Sequence, residues 1–138
     1  MGYVASKCHA MLMPSGTYHD PNRKHLFIVC TDACPNKNHL VVCITGWTND
    51  LCDGTTRICP ADKVHKFITK DSYIFYRKAR IESAAALSRG VDEGTFVLQD
   101  PISEAFRQKV LAGICASKQT SRKVKIYAGC KMEDPKKS

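Results

Sequence analysis

The sequence predicts a mainly β protein, a small and partly open barrel or curled sheet that is followed by one C-terminal helix. Two observations predict this class: short β-branched runs alternate with turn-forming residues, and one apolar stripe at helical spacing comes near the end. The length of 138 residues fits a single domain, with the barrel at about 7–98, the helix at about 101–117 and a charged tail after it.

Two buried strands form the centre of the predicted sheet. Residues 24–32 (KHLFIVCTD) and 39–47 (HLVVCITGW) are rich in β-branched residues and too short for core helices. The turn-forming residues 33–38 between them predict a hairpin or two adjacent strands of a meander. Further short strands are predicted at 8–13, 56–59, 73–81, 94–98 and 124–127.

Helical patterns begin only after the predicted strand that ends at Ile81. Residues 82–90 predict a helical turn that ends at Gly90. The main helix is expected to start with Asp100 as its N-cap and Pro101 at its first position. The apolar stripe expected to pack on the sheet consists of Ile102, Phe106, Val110, Leu111 and Ile114.

The stretch 64–81 carries the most chemistry, because its 18 residues include a histidine, an acid, a serine, four aromatic rings and five cations. Its second half alternates like a strand with one buried and one exposed face. With that period Tyr76, Lys78 and Arg80 share a face, and Arg77 points the other way unless the strand bends there. The stretch therefore predicts a basic, aromatic surface.

The net charge of +8, with a pI near 9.1, favours a polyanionic partner such as RNA. No apolar run approaches the roughly 20 residues that a membrane helix needs. The N-terminal stretch is a poor signal peptide, because Lys7 and His9 break its apolar patch. We therefore expect a cytoplasmic protein that does not enter a membrane.

The eight cysteines allow three interpretations: zinc ligands, disulfides or reduced thiols. Zinc would need closely spaced pairs, and only Cys30 and Cys34, with a nearby histidine, approach that pattern. A cytoplasmic chain disfavours disulfides, and Cys30 and Cys43 fall in apolar runs where cysteine acts as a small hydrophobic residue. We expect mostly reduced, structural thiols.

The strand cores resemble those of the PemK/MazF-like ribonuclease toxins of toxin–antitoxin systems. The resemblance extends over about residues 7–117 and rests on KHLFIVCTD, HLVVCIT, SYIFYRKARI and the terminal helix. It implies an SH3-like barrel with a C-terminal helix and metal-independent cleavage of RNA. It also implies a small acidic antitoxin as a partner and a homodimeric assembly.

The sequence departs from the family pattern in two of the core strands. Lys24 stands where the family has the arginine of an arginine-proline pair, and His25 stands at the proline. Thr45 matches the threonine of a Thr-Ser run whose hydroxyl lies in the family's active site, but Gly46 replaces the serine.

The later strand also departs from the pattern. Arg77 occupies the position where many family members have an acid, while Arg80 keeps a basic position. If the chain cleaves RNA, it therefore uses other groups than the family's acid-base pair.

Cleavage of RNA by its own 2′-hydroxyl requires a base, an acid and a cation over the phosphate. The predicted catalytic residues are His65 and His25 as base and acid, Ser72 and Thr45 to position a phosphate oxygen, and Arg77 to stabilise the transition state. The predicted contacts to phosphates and bases are Lys24, Trp47, Tyr73, Tyr76, Lys78 and Arg80. No metal and no cofactor is expected.

Two functions of a different class stay open beside the nuclease. The first is a non-catalytic barrel that binds nucleic acid or a protein through the same surface, and the missing acid and serine favour it. The second is an accessory or inhibitory protein of a mobile element that blocks a partner. A lone histidine is more often structural than catalytic, and alternating Tyr and Phe residues often pack across strands.

Overall fold

A seven-stranded antiparallel sheet is the centre of the fold in the computed structural model, which describes residues 2–14 and 23–131. The strands are β1 (Ala10–Pro14), β2 (Lys24–Val29), β3 (Asn38–Gly46), β4 (Arg57–Ile58), β5 (Ser72–Ile74), β6 (Arg80–Ser83) and β7 (Val97–Gln99). The helices are α1 (Ala84–Asp92), α2 (Glu104–Ala116) and α3 (Arg122–Tyr127), with short 3₁₀ turns at Pro60–Asp62 and Tyr76–Lys78.

The strand order is β4-β5-β3-β2-β1-β7. β6 also pairs with β3, at residues 38–41, whereas β5 pairs with residues 44–46. The described strands do not close into a barrel. The prediction of a mainly β protein is confirmed only at the level of a mixed α+β fold in which the sheet predominates. The prediction of one C-terminal helix is incomplete, because the described residues form three helices and α1 precedes β7. The part of the predicted charged tail at 132–138 lies outside the described residues.

Helices cover both faces of this sheet. On one, which we call the α2 face, Leu26, Ile28, Val42 and Ile44 belong to the same buried cluster as Phe106, Val110 and Ile114 of α2 and Val124 of α3. On the other, the α1 face, the buried cluster consists of Ala5, Met11, Met13, Phe27, Val29, Val41, Cys43 and Leu87. Because β2 and β3 are buried on both sides, their sequences are continuously apolar rather than alternating.

The predicted pairing of the two central strands is confirmed. β2 and β3 run antiparallel, with Phe27 opposite Cys43 and Leu26 opposite Ile44. A slip of one residue would move the side chains of each buried cluster into the other, so the fit of these side chains within the two clusters sets the register.

The prediction of one continuous strand from 73 to 81 is wrong. Ile74 pairs with Ile44 and Arg80 with Val41, so the five residues 75–79 lie opposite only residues 42 and 43 of β3. The extra residues form the 3₁₀ turn Tyr76–Lys78. The bend turns the Tyr76 side chain into the core, with 0% exposure, so it does not share a face with Lys78 and Arg80 as the alternation predicted.

The C-terminal helices differ from the prediction at their ends. α2 starts at Glu104, because the Ser103 hydroxyl accepts a hydrogen bond from the Phe106 N–H at 3.1 Å and so caps the helix in place of Asp100. Residues 124–127 form part of α3 and not a strand, since Ser121 caps that helix through the Val124 N–H at 3.3 Å. α1 likewise continues through Gly90 to Asp92.

A disulfide joins Cys115 in α2 to Cys130 after α3. The expectation of mostly reduced thiols is therefore corrected for this pair, while the other six cysteines carry thiols. The bond closes a loop with a sequence separation of 15, and it holds the short α3 against the longer helix. Within the described ranges, no helix combines the length and the apolar character that crossing a membrane requires.

Candidate functional site

A cavity of about 510 Å³ opens where β2 begins and β3 ends, and we call it the cationic pocket. Its lining includes successive residues of β2 and of β3, whose side chains alternate between the two faces of the sheet. Its lining consists of Arg23, Lys24, His25, Leu26, Ile44, Thr45, Gly46, Lys66, Phe67, Ile68, Thr69, Lys70 and Ser72. Four of the predicted site residues, Lys24, His25, Thr45 and Ser72, therefore meet in one pocket.

The charge of the pocket is positive. Arg23, Lys24, Lys66 and Lys70 line it, and no Asp or Glu is among the described lining residues. Lys66 makes an ion pair with Asp100 at 3.0 Å, but both side chains are mostly exposed (74% and 64%), so solvent screens the pair. The lining therefore offers cationic groups to an anionic ligand and does not repel one with carboxylates of its own.

His25 lines the pocket, and the alternation along β2 places it on the α1 face of the sheet, with Phe27. Its partial burial lowers the pKa of the imidazole, and the neighbouring charges of Arg23 and Lys78 lower the pKa further. A histidine with a lowered pKa is neutral at physiological pH, so its ring can accept a proton. This is the protonation state that a general base requires.

A row of side chains crosses the sheet at the same end. Thr45 is paired with Tyr73, and Tyr73 with Arg57. The β2–β3 register pairs Leu26 with Ile44, so the next pair outward is His25 and Thr45. Directly opposite residues have Cβ atoms about 4.5–5.5 Å apart, so the row places an imidazole, a hydroxyl, a phenol and a guanidinium side by side.

Three aromatic rings continue this row, and we call them the aromatic surface: Trp47, Tyr73 and Phe75. The centroids of Trp47 and Tyr73 are 5.6 Å apart and those of Tyr73 and Phe75 are 5.8 Å apart. The Arg57 guanidinium lies over the Trp47 ring, 4.0 Å from the centroid. Trp47 and Phe75 are partly exposed, whereas Tyr73 is only 7% exposed.

The cations of the 77–80 segment are distributed around the aromatic surface. Exposed Arg77 lines a groove of about 280 Å³ together with Tyr73 and Phe75. The Lys78 ammonium lies 5.7 Å from the Phe75 centroid. Arg80 pairs with Glu82 at 2.8 Å and stacks over the Phe27 ring at 5.0 Å, so its charge is already partly neutralised.

His65 and Tyr76 have structural surroundings. The His65 Nδ1 accepts a hydrogen bond from the Phe67 N–H at 3.0 Å, and its Nε2–H donates to the Asp100 carbonyl at 2.8 Å. These partners fix one neutral tautomer, because a backbone N–H can only donate and a carbonyl can only accept. The Tyr76 hydroxyl donates to the Val110 carbonyl at 3.1 Å and lies 2.7 Å from the Thr56 hydroxyl. Because the side chain is 0% exposed, no nucleobase can stack on its ring.

Sequence reasoning missed Arg23, Lys66, Phe67 and Lys70, which belong to segments without regular structure around β2 and before β5. The clearest signal was the pair of lysines on either side of Phe67 in the stretch 64–81. In the described residues, no three His, Cys, Asp or Glu side chains are grouped as a metal site would need.

The comparisons with known proteins give no family for this fold and site: no protein-family model, no curated protein and no solved structure matches the chain.

Proposed function

We propose that the chain binds single-stranded RNA in the cationic pocket and along the aromatic surface. The observation that carries the proposal is the pocket itself, whose lining combines the cations Arg23, Lys24 and Lys70 with Thr45. Ammonium and guanidinium groups and hydroxyls are the usual protein donors to phosphate oxygens. The +8 charge of the whole chain adds long-range attraction to a polyanion.

The aromatic surface favours single-stranded RNA over duplex DNA or an anionic membrane. Unpaired bases stack on aromatic rings and arginine planes. The partly exposed rings of Trp47 and Phe75 and the exposed Arg77 supply both. A concave pocket of about 510 Å³ can enclose part of an RNA strand, whereas a flat lipid surface cannot enter it.

The likeness to PemK/MazF-like toxins supports this proposal through β2, β3 and β5, where KHLFIVCTD, HLVVCIT and the first three residues of SYIFYRKARI lie. The rest of that last stretch forms the turn at Tyr76–Lys78 and the start of β6. In this proposal those three strands correspond to the core of an SH3-like barrel that is left open. A small acidic antitoxin would cover the cationic pocket, and a homodimer would present two pockets. The cytoplasm is the compartment where such a partner and RNA would be met.

Metal-independent cleavage is the second candidate function, and the lowered pKa of His25 favours it. In this reaction His25 removes the proton of the 2′-hydroxyl, whose oxygen attacks the neighbouring phosphorus. The bond to the 5′-oxygen breaks, and that oxygen takes a proton from an ammonium group of the pocket, Lys24 or Lys70. The products are a 2′,3′-cyclic phosphate and a 5′-hydroxyl end, with Thr45 holding a phosphate oxygen. The Ser72 hydroxyl does not take part, because it donates its proton to the Lys70 carbonyl at 3.0 Å.

Binding is tested by the salt dependence of affinity for a labelled 12-nucleotide RNA. Each lost contact to a single-strand phosphate lowers the slope of log K against log salt by about 0.7. The double variant Lys24→Gln/Lys70→Gln should therefore lose about 1.4 in slope, since two contacts are lost. The matched control Lys109→Gln/Lys123→Gln, exposed lysines of α2 and α3, should lose much less. Equal slopes for both variants, or equal affinity for duplex DNA, would contradict the proposal.

Cleavage is tested by incubating a long mixed-sequence RNA with the protein in EDTA. We expect fragments that end in cyclic phosphate, loss of those fragments for His25→Ala, and RNA affinity close to that of the unmodified protein in the variant. If the RNA stays intact under these conditions, the cleavage proposal is wrong and the RNA-binding proposal is unaffected.

A further inference from the structure

The cationic pocket is larger and more apolar than a phosphate site needs to be. Beside its cations it is lined by Leu26, Ile44, Phe67 and Ile68. Its volume of about 510 Å³ lies within the range of roughly 300–1,000 Å³ that is typical of small-molecule sites. We propose that the pocket takes one complete nucleotide, with the base against these apolar side chains and the phosphate on the lysines. The inference rests on the proposed RNA binding and names the ligand unit of that site.

The apolar part of the pocket is a rigid floor. Leu26, Ile44 and Ile68 are at most 8% exposed and belong to the cluster that packs against α2. Leu26 and Ile44 are also direct cross-strand neighbours of β2 and β3. Because these three side chains expose little surface, a base that reaches the floor removes mainly its own apolar surface and that of Phe67 from water, which a bare phosphate or a sugar phosphate does not do.

Phe67 stands at the rim of the pocket with 45% of its surface exposed. Its backbone is fixed on both sides: its N–H donates to His65 Nδ1 at 3.0 Å, and the next N–H, that of Ile68, donates to the His65 carbonyl at 3.0 Å. The buried Ile68 side chain anchors the segment in the core. An exposed ring on an ordered backbone is a suitable stacking partner for a base, because little conformational entropy is lost on binding.

The cations lie at the rim from which a phosphate would enter. Lys24 is exposed at the start of β2, and the Lys70 side chain lies against the end of β3 at Gly46. A nucleotide of an RNA strand would therefore turn its base out of the stack and into the pocket. A free nucleoside monophosphate contains the same base and phosphate, so it should occupy the pocket in the absence of RNA.

The inference is tested by competition against the labelled 12-nucleotide RNA. The competitors are uridine 5′-monophosphate, adenosine 5′-monophosphate, ribose 5-phosphate and inorganic phosphate at equal concentrations and ionic strength. At least one nucleotide should displace the RNA, and the base-free compounds should require concentrations at least tenfold higher. Phe67→Ala should weaken nucleotide binding on the order of tenfold, the scale on which a stacked base contributes. Leu98→Ala, at a side chain with a similar exposed fraction of 46% on the edge strand β7, is the matched control.

The outcomes separate this inference from the proposed function. If the RNA binds but ribose 5-phosphate competes as well as the nucleotides, or Phe67→Ala and Leu98→Ala behave alike, the base pocket is wrong and RNA binding stands. If the RNA does not bind but direct calorimetric titration shows that a nucleotide does, with the expected loss in Phe67→Ala, the pocket takes a nucleotide and the RNA proposal is wrong.

Discussion

The Lys70 side chain occupies the space that a side chain at position 46 would take. A Cβ built on Gly46 would lie 2.8 Å from the Lys70 Cε and 3.1 Å from its Nζ. Because β3 ends in a glycine, Lys70, from the loop that precedes β5, can lie across the end of β3 inside the cationic pocket.

Gly46→Ala should move Lys70 without unfolding the protein, because the clash is with the end of a flexible side chain. The slope of log K for RNA against log salt should fall by about 0.7, the value for one lost phosphate contact. The melting temperature should change little. Gly54→Ala is the control, since its Cβ would meet nothing closer than 3.7 Å. An unchanged slope in Gly46→Ala would show that Lys70 does not contact phosphate from this position.

Tyr76→Phe should lower stability and leave RNA affinity unchanged. The substitution removes the hydroxyl that lies between Thr56 and the Val110 carbonyl, and a buried polar group left without its partner costs about 1–3 kcal/mol. Chemical denaturation and RNA titration of the same variant measure both effects. Weaker RNA binding at full stability would contradict the placement of this ring in the core.

Glu104→Gln should make stability less dependent on pH in the acid range. Hydrogen bonds from Arg107, and then from Gln108, lower the pKa of the Glu104 carboxyl to about 2. The carboxylate therefore stabilises the fold above the unfolded-state pKa of about 4.3, and this contribution is lost as the pH falls toward the folded value. Thermal melts should show a lower melting temperature for the variant at pH 6 and a smaller difference at pH 2. Glu93→Gln, at an exposed residue that follows α1, is the control.

Removing the disulfide should destabilise the protein by about 3 kcal/mol, the chain-entropy value for a loop of about 15 residues. The variant Cys115→Ser/Cys130→Ser tests this by denaturation, with Cys59→Ser as the control. RNA affinity should persist, because α3 contacts the start of β3 through the Tyr127 hydroxyl and the Asn38 carbonyl at 2.8 Å, whereas the pocket lies at its other end. Weaker RNA binding by the variant, under conditions where it is folded, would contradict the view that the disulfide and the pocket are independent.

The sequence was most informative for the central strands and for the side chains at their ends. β2 and β3 were predictable because burial on both faces makes their sequences continuously apolar. Lys24, His25, Thr45 and Ser72 converge in one pocket because they stand at neighbouring ends of paired strands.

Other features depended on contacts between distant parts of the chain. His65 owes its orientation to the Asp100 carbonyl, 35 positions away, and no local pattern contains that bond. The sequence pattern of residues 73–81 predicted one continuous strand, so this pattern did not predict the turn at Tyr76–Lys78. The stretch 124–127 alternates as a strand would, but the Ser121 cap places it in a helix.

The turn between β5 and β6 changes the face of the sheet on which this segment places its side chains. Ile74 lies opposite Ile44 and belongs to the cluster of the α2 face, whereas Arg80 lies opposite Val41 and stacks over Phe27 of the α1 face. In an unbroken strand, residues six positions apart would share a face. The turn at Tyr76–Lys78 therefore separates the alternation of β5 from that of β6. Natural variants can change the length of this turn without moving Arg80 from the Phe27 ring.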